Sequence, residues 1–395
     1  MKRIIIVNGN MKIGGVQNSL NNLLWSLNGR YDVTLMLFHP EGAYLKDLPP
    51  DVKVTAAGGP CQFLGSSQHQ YPKTSLKFWT RGFWAALTKT LGRPFAMRGM
   101  FLFQKDAPGE YDCAISFLHN ESPRAFYGGV NEYVLKKVKA KRKLAFLHCD
   151  YETCGANAPA NNRLYDRFDG IAACSEGCRQ AFLKVLPHLE GKCRTVHNCT
   201  RFDQVRRLAE LAPVEYPPHR PIVVTVARLS LAKGLHRALE AVAYGVSQGL
   251  DMEYHIVGDG KTRASLEALV RELNLGDRVV FHGEQENPYR FLRNADLFLL
   301  TSYHEAAPLV IDEALSLAVP VLSVGTTSSE EMILKRGGGW VCDNDQSALN
   351  KMLEQVLRDR EGIEEKKNHL RSAAWDNAAA LREFVELLED GHGCN

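Results

Sequence analysis

The strongest constraint in this chain is an alternation of short β-branched apolar runs with longer stretches whose apolar residues fall at helical spacing. Such runs occupy residues 3–7, 32–38, 112–118, 143–147, 170–173 and 195–197, and the pattern resumes at 221–227, 252–257, 278–281, 297–301 and 319–324. A short continuous apolar run fits a strand covered on both faces, and an intervening helix carries the chain back so that neighbouring strands are parallel. The prediction is an α/β chain. With 395 residues there is enough length for two cores. Pro213, Pro217, Pro218 and Pro221 lie within nine residues, a density that breaks regular structure, so the hinge is placed between about 198 and 221. The expected domains are 1–203 and 204–375, both doubly wound and Rossmann-like, followed by a C-terminal helix at 376–395 that crosses back to the first domain. A stripe of Trp375, Leu381, Phe384 and Leu387 within 370–388 reads as a pair of amphipathic helical pieces.

Charge sharpens the division. Residues 1–203 carry a net charge of +11 and residues 204–395 a net charge of −8, although the whole chain sums to +3. Between Val52 and Lys105 there are eight Lys or Arg and no Asp or Glu. Helical spacing there puts Lys73, Lys77 and Arg81 on one face and Leu76, Trp79, Phe83 and Leu87 on another, with Phe95, Phe101 and Phe103 following. A basic amphipathic helix bearing Trp and Phe is the pattern of an interfacial membrane segment. Docking to an anionic membrane through Lys73, Lys77, Arg81, Trp79 and Phe83 is therefore expected. Nucleic acid is not, because no nucleic-acid motif accompanies the charge. The apolar run at 4–7 is too short for a signal peptide, and no run approaches a membrane span. The expected location is cytoplasmic, peripheral on the inner face of the cell membrane. Ten scattered cysteines without knuckle spacing predict reduced thiols and no metal site.

The densest chemistry lies in residues 301–323, where Glu305 sits in a loop and Glu313 on a helix opened by Pro308, Leu309 and Val310. Proline is tolerated in a first turn because those amides have no intrahelical partner. The same amides and the positive end of the helix dipole suit a diphosphate. Arg228 and Lys233 follow the run at 221–227, and Gly258 and Gly260 follow the run at 252–257. All would lie at the carboxyl ends of strands, where open α/β sheets bind ligands.

On these residues the chain resembles glycosyltransferase family 4 of the GT-B superfamily. Glu305 and Glu313 have the spacing of that family's Glu-x7-Glu motif, Pro320-Val321 follows as it does there, and Arg228 with Lys233-Gly234 is similar to its diphosphate grip. Ala306-Ala307 stands where the family usually has Gly-Phe. The resemblance implies that Glu305 contacts the donor sugar and that Glu313 holds the ribose hydroxyls. It further implies that Arg228 and Lys233 bind the diphosphate, and that Gly258, Gly260, Phe281 and His282 form the nucleotide pocket. Gly14 and Gly15 are similar to the family's Gly-Gly loop facing the donor and acceptor. His119 corresponds to an active-site histidine, with His148 and Asp150 on the acceptor side, although either histidine would also serve as a structural residue.

The implied activity is retaining, metal-independent transfer of a sugar from a nucleotide-sugar, with UDP the expected nucleotide, to a glycan or lipid-linked acceptor in polysaccharide or glycoconjugate synthesis. No cofactor is expected, the nucleotide-sugar being a co-substrate. A GT-B sugar-nucleotide epimerase, a phosphorylase and a non-catalytic donor-binding subunit remain open as alternatives.

Overall fold

The computed structural model describes residues 1–389 and divides into two units. The first comprises residues 1–199 with the helix Ala378–Glu389, and the second comprises residues 200–376. In the first unit β1 (Arg3–Asn8), β2 (Asp32–Leu37), β3 (Lys53–Ala56), β4 (Glu110–Ser116), β5 (Lys139–Leu147), β6 (Gly170–Ala173) and β7 (Cys193–Thr195) form one parallel sheet in the order 3-2-1-4-5-6-7. In the second, β8 (Ile222–Val226), β9 (Glu253–Val257), β10 (Val279–Gly283), β11 (Leu297–Leu300), β12 (Val321–Val324) and β13 (Gly339–Cys342) are ordered 10-9-8-11-12-13 and are again parallel. Both are doubly wound sheets. Each reverses its strand order beside its own first strand, at β1/β4 and at β8/β11, which opens a crevice at the carboxyl ends.

Burial on both faces explains the apolar runs. In the second unit Val223, Tyr254 and Leu299 pack into one buried cluster while Ile222, Val224, Phe298 and Leu300 pack into another, so alternate residues of a strand serve opposite faces. Helices cover both clusters, among them Leu235–Ser247 and Gln346–Arg358 on one side and Leu309–Ser316 on the other.

Two strands carry no clear sequence signal, β3 and β13. Each is the last strand at one edge of its sheet, and β3 is largely exposed, so neither needs an unbroken apolar run. The run read at 195–197 pairs as Cys193–Thr195, two residues earlier. The unit boundary falls after Cys199 rather than 203, because Thr200 Oγ1 donates to Asp312 at 3.4 Å and the Phe202 ring packs on Trp375 at 6.0 Å. Within 370–388 the helix Arg360–Ser372 ends before Trp375, and a separate helix, Ala378–Glu389, begins after it. That last helix completes the core of the first unit. Phe384 is fully buried against Phe146, and Glu383 accepts from the backbone N–H of His197 at 2.9 Å. Residues 390–395 of the expected C-terminal helix lie outside the described residues.

Candidate active site

In the second unit the two loops at the switch point are knitted together by backbone. Tyr303 N–H donates to the Ala232 carbonyl at 3.0 Å, and Thr301 Oγ1 donates to the carbonyls of Lys233 and Gly234, both at 3.1 Å. Gly234 makes this possible. Its φ is +62°, and a Cβ there would lie 2.3 Å from the Thr301 carbonyl oxygen. The glycine thus lets the turn Leu231–Lys233 rest on the end of β11 and brings Lys233 Nζ to 2.6 Å from Glu305 Oε1. Ser302 Oγ donates to the same carboxylate oxygen at 2.6 Å. Arg228, at the end of the preceding strand, is exposed and makes no hydrogen bond or ion pair with another described residue. One cation is thus held by a carboxylate while a second stands open beside the strand end. That arrangement can receive two phosphates, one by exchange of Lys233 from Glu305 and one by the Arg228 fork.

Gly258 and Gly260 are required for packing. A Cβ on Gly258, whose φ is +136°, would meet the Ala227 carbonyl oxygen at 2.0 Å, and one on Gly260 would meet that of Leu229 at 2.2 Å. The turn after β9 therefore lies flat on the segment that carries Arg228. Leu229 N–H donates to the Asp259 carbonyl at 2.9 Å, and Thr262 N–H donates back to Leu229 at 3.3 Å. These glycines position the arginine loop.

Glu313 is buried on the helix Leu309–Ser316, where Tyr289 Oη donates to its Oε1 at 3.1 Å. Pro308 occupies the position before the first helical residue, one place earlier than read, and leaves the amides of Leu309 and Val310 in the first turn. Phe281 and His282 do not form one wall. Phe281 packs with the cluster around Leu266 under the Arg263 guanidinium, whereas His282 turns to the opposite face beside Phe291 and stacks on His255. His255 Nδ1 and His282 Nε2 are 2.9 Å apart, and burial pushes the His282 imidazole down to about 4. Two contributors were not legible in the sequence. Ser302 lay inside the motif but had no assigned task, and Tyr289 gives no local sign of its hydrogen bond to Glu313, twenty-four positions away.

The switch point of the first unit is braced by asparagine side chains and by a Lys12–Glu41 ion pair at 3.1 Å. Asn8 Nδ2 donates to the Asn10 carbonyl at 3.0 Å, Asn10 Nδ2 to Gly65 at 2.9 Å, and Met11 N–H to Glu41 at 2.8 Å, which fixes the loop after β1. Gly15 opens the helix Gly15–Leu27, and a Cβ there would meet nothing within 4 Å. Gly14 is extended, with φ 177°, a conformation any residue adopts. Backbone strain thus requires neither glycine, and the space above Gly15 is open.

His119 follows β4 and His148 follows the neighbouring β5, so the two are close enough that a charge on His119 would depress His148. Burial pushes them down to about 4 and about 3, and His148 lies against Phe117 with ring centroids 4.6 Å apart. His119 Nδ1 and His148 Nε2 are buried without a hydrogen-bond partner, so both rings are neutral near pH 7 with nitrogens still to be satisfied. Asp150 folds its own loop. Its Oδ1 accepts from the N–H groups of Glu152 and Thr153 at 3.0 and 3.2 Å. In that loop Cys149 is buried, Cys154 is exposed, and their sulfurs are 3.1 Å apart. Among the described residues no group of three or more His, Cys, Asp or Glu could hold a metal ion.

The basic stretch folds as the helices Leu76–Leu91 and Arg93–Phe103. Lys73, Lys77, Trp79 and Phe83 are exposed. Arg81 departs from the expected docking face. Its guanidinium donates to the Ser66 carbonyl at 2.8 Å and to Gln68 Oε1 at 2.8 Å, and it lies over the Phe126 ring. Phe101 is likewise engaged, beneath the Lys136 and Lys137 ammonium groups. No helix among the described residues is long and apolar enough to cross a membrane.

Two doubly wound parallel sheets with loops gathered at their switch points, one of them bearing paired cations, make up a GT-B fold. Residues 210–375 match the family described as "Glycosyl transferases group 1". The chain is 33% identical over 150 residues to the putative colanic acid biosynthesis glycosyltransferase WcaL of Escherichia coli K12, covering 36% of this chain and 37% of WcaL. It is 30% identical over 184 residues to the amylovoran biosynthesis glycosyltransferase AmsK of Erwinia amylovora, covering 43% and 45%. The chain thus spans less than half the length of these two relatives. Among solved structures, Anabaena HepE in complex with UDP and glucose superposes with a TM-score of 0.69 over 99% of this chain and all of that one, at 17% identity. That likeness establishes the fold.

Proposed function

We propose that the protein is a glycosyltransferase that moves a sugar from a nucleotide-sugar, a UDP-sugar, to a glycan or lipid-linked acceptor in polysaccharide or glycoconjugate assembly. The observation that carries this reading is the Lys233–Glu305 ion pair at the β8/β11 switch point, with the exposed Arg228 beside it. A departing nucleoside diphosphate gains negative charge as its bond to the sugar breaks, and pre-placed cations stabilise that charge in the transition state. In this reading Lys233 leaves Glu305 for a phosphate oxygen, and Glu305 becomes free to accept from the sugar hydroxyls. Glu313, held by Tyr289, receives the ribose hydroxyls. The choice of UDP is supported by HepE, whose structures hold UDP and UDP-glucose.

The reaction is proposed to retain configuration and to need no metal, Arg228 and Lys233 carrying the charge a divalent ion would otherwise carry. The bond from the anomeric carbon to the β-phosphate oxygen breaks, the acceptor oxygen bonds on the same face, and the acceptor proton passes to the departing phosphate. Neutral His119 and His148, which are only partly buried, would offer hydrogen bonds to sugar hydroxyls through His119 Nε2 and His148 Nδ1, the nitrogens not enclosed by the protein. NMR of the product tests the stereochemistry, and EDTA treatment tests the metal. An inverted anomeric centre, or activity abolished by EDTA and restored by a divalent ion, would overturn this mechanism.

A further inference from the structure

We infer that the paired helices Leu76–Leu91 and Arg93–Phe103 form a docking surface for an anionic phospholipid bilayer, on the face the sequence pattern outlines but without Arg81 and extended by Leu76, Phe95, Leu102 and Phe103. The inference rests on exposure and charge and uses no part of the transfer reaction.

Of the fifteen large apolar residues exposed among the described residues, seven lie between positions 76 and 103. In the first helix Leu76, Trp79 and Phe83 recur at intervals of three and four and so share one outward stripe. In the second, Phe95 and Leu102 flank Arg98 on one stripe, with Phe103 next to it. These helices are amphipathic with an apolar side facing away from the protein. The two tryptophans make the point. Trp84 is 9% exposed and packs over Gly99 of the second helix, where a Cβ would come within 3.0 Å of its ring, whereas Trp79 is 66% exposed.

Charge selects the occupant. Of the eight cations between Val52 and Lys105, Lys53 pairs with Asp32, Arg93 with Glu132, and Arg81 turns inward. The remaining five, Lys73, Lys77, Lys89, Arg98 and Lys105, are exposed and pair with no described carboxylate. Apolar side chains interleaved with unpaired cations match headgroup phosphates above acyl chains. A second copy of the chain would bring the same positive face and be repelled.

The surface is also built rather than loose. At the start of the second helix Arg93 is fully buried, with Nε 3.2 Å from Glu132 Oε1, and Nη1 donating to the carbonyls of Glu121, Ser122 and Tyr127. Its own N–H donates to Pro123 at 2.6 Å. Asn120 Nδ2 donates to the other oxygen of Glu132, at 3.0 Å. The helix pair is therefore anchored to the loop that follows His119, and its outward stripe keeps a fixed orientation.

The test is co-sedimentation of the full chain with vesicles of phosphatidylcholine alone or mixed with phosphatidylglycerol, with melting temperature and size-exclusion elution measured on every variant. The wild type should pellet with the anionic vesicles only, and high salt should release it. Trp79→Glu with Phe83→Glu should abolish pelleting without changing the melting temperature, since both side chains are exposed. Lys73→Ala with Lys77→Ala should weaken partitioning about 25-fold, from about 1 kcal/mol per surface cation. Arg81→Ala should leave partitioning unchanged. A wild type that stays in the supernatant with anionic vesicles would overturn the inference, as would variants that pellet like the wild type. So would a dimer that Trp79→Glu with Phe83→Glu dissociates while neither protein binds vesicles, which would make the surface a contact between copies.

Discussion

In the second unit the switch-point loops are locked to each other by backbone contacts that only glycine permits, and they present charge. In the first unit the corresponding loops are braced by asparagine side chains and a Lys12–Glu41 ion pair, neutral histidines follow β4 and β5, and the space above Gly15 is open. Under the proposed function the difference follows from what each unit would hold. A diphosphate has one shape and a fixed charge, so a rigid cationic cradle suits it. A sugar hydroxyl is neutral and its acceptor varies, so neutral imidazoles and room above Gly15 suit it better. The segment that matches a known family, 210–375, lies in the second unit.

The largest effect that could break this comparison is on turnover. Lys233→Ala or Arg228→Ala should lower kcat/KM about 10²- to 10³-fold, the size expected on losing a group that stabilises transition-state charge. His119→Gln, which keeps a neutral hydrogen-bonding group, should cost clearly less. Equal losses at the two sites in steady-state assays would erase the proposed contrast.

Glycine substitutions sharpen it next. Gly258→Ala or Gly234→Ala should destabilise the protein by about 2–4 kcal/mol in chemical denaturation, because a carbonyl oxygen already occupies the Cβ position. Gly15→Ala, with nothing within 4 Å, should leave stability within about 0.5 kcal/mol and reduce activity alone.

A smaller effect is the dependence of stability on pH. Unfolded histidine titrates near 6.5, while folded His119 and His148 are pushed down to about 4 and about 3. Below pH 6.5 the unfolded chain takes up protons that the folded chain refuses, so their contribution to stability is complete above 6.5 and is lost as pH falls toward 4. His148→Phe, which would continue the ring packing of Phe117 and Phe146, should flatten the fall in melting temperature between pH 6.5 and 4. An unchanged slope would mean that His148 is not held neutral.

The apolar runs made the sheets legible because strands buried on both faces cannot avoid them, and the edge strand Lys53–Ala56 escaped because one exposed side relaxes that demand. The positions of Glu305 and Lys233 were legible because they follow the apolar runs of strands, and that of Glu313 because Pro308 marks the start of its helix. Their partners, Ser302 and Tyr289, depend on tertiary approach. Helical spacing put Arg81 with Lys77 but could not show that the Ser66 carbonyl would draw it inward. The glycines after β9 looked like a ligand turn, yet their tightest neighbour is the protein's own backbone at Ala227 and Leu229. In strand β10, residues adjacent in sequence serve opposite faces, which separates Phe281 from His282.

The central claim, that the β8/β11 switch point holds a nucleoside diphosphate, is tested most directly by the melting temperature with UDP, ADP or GDP added to the wild type and to Arg228→Ala/Lys233→Ala. A ligand that binds only the folded state raises the transition by mass action. The account predicts that UDP raises the melting temperature of the wild type and leaves that of the double variant unmoved. An equal rise in both proteins, or no rise in the wild type with any of the three nucleotides, would contradict it.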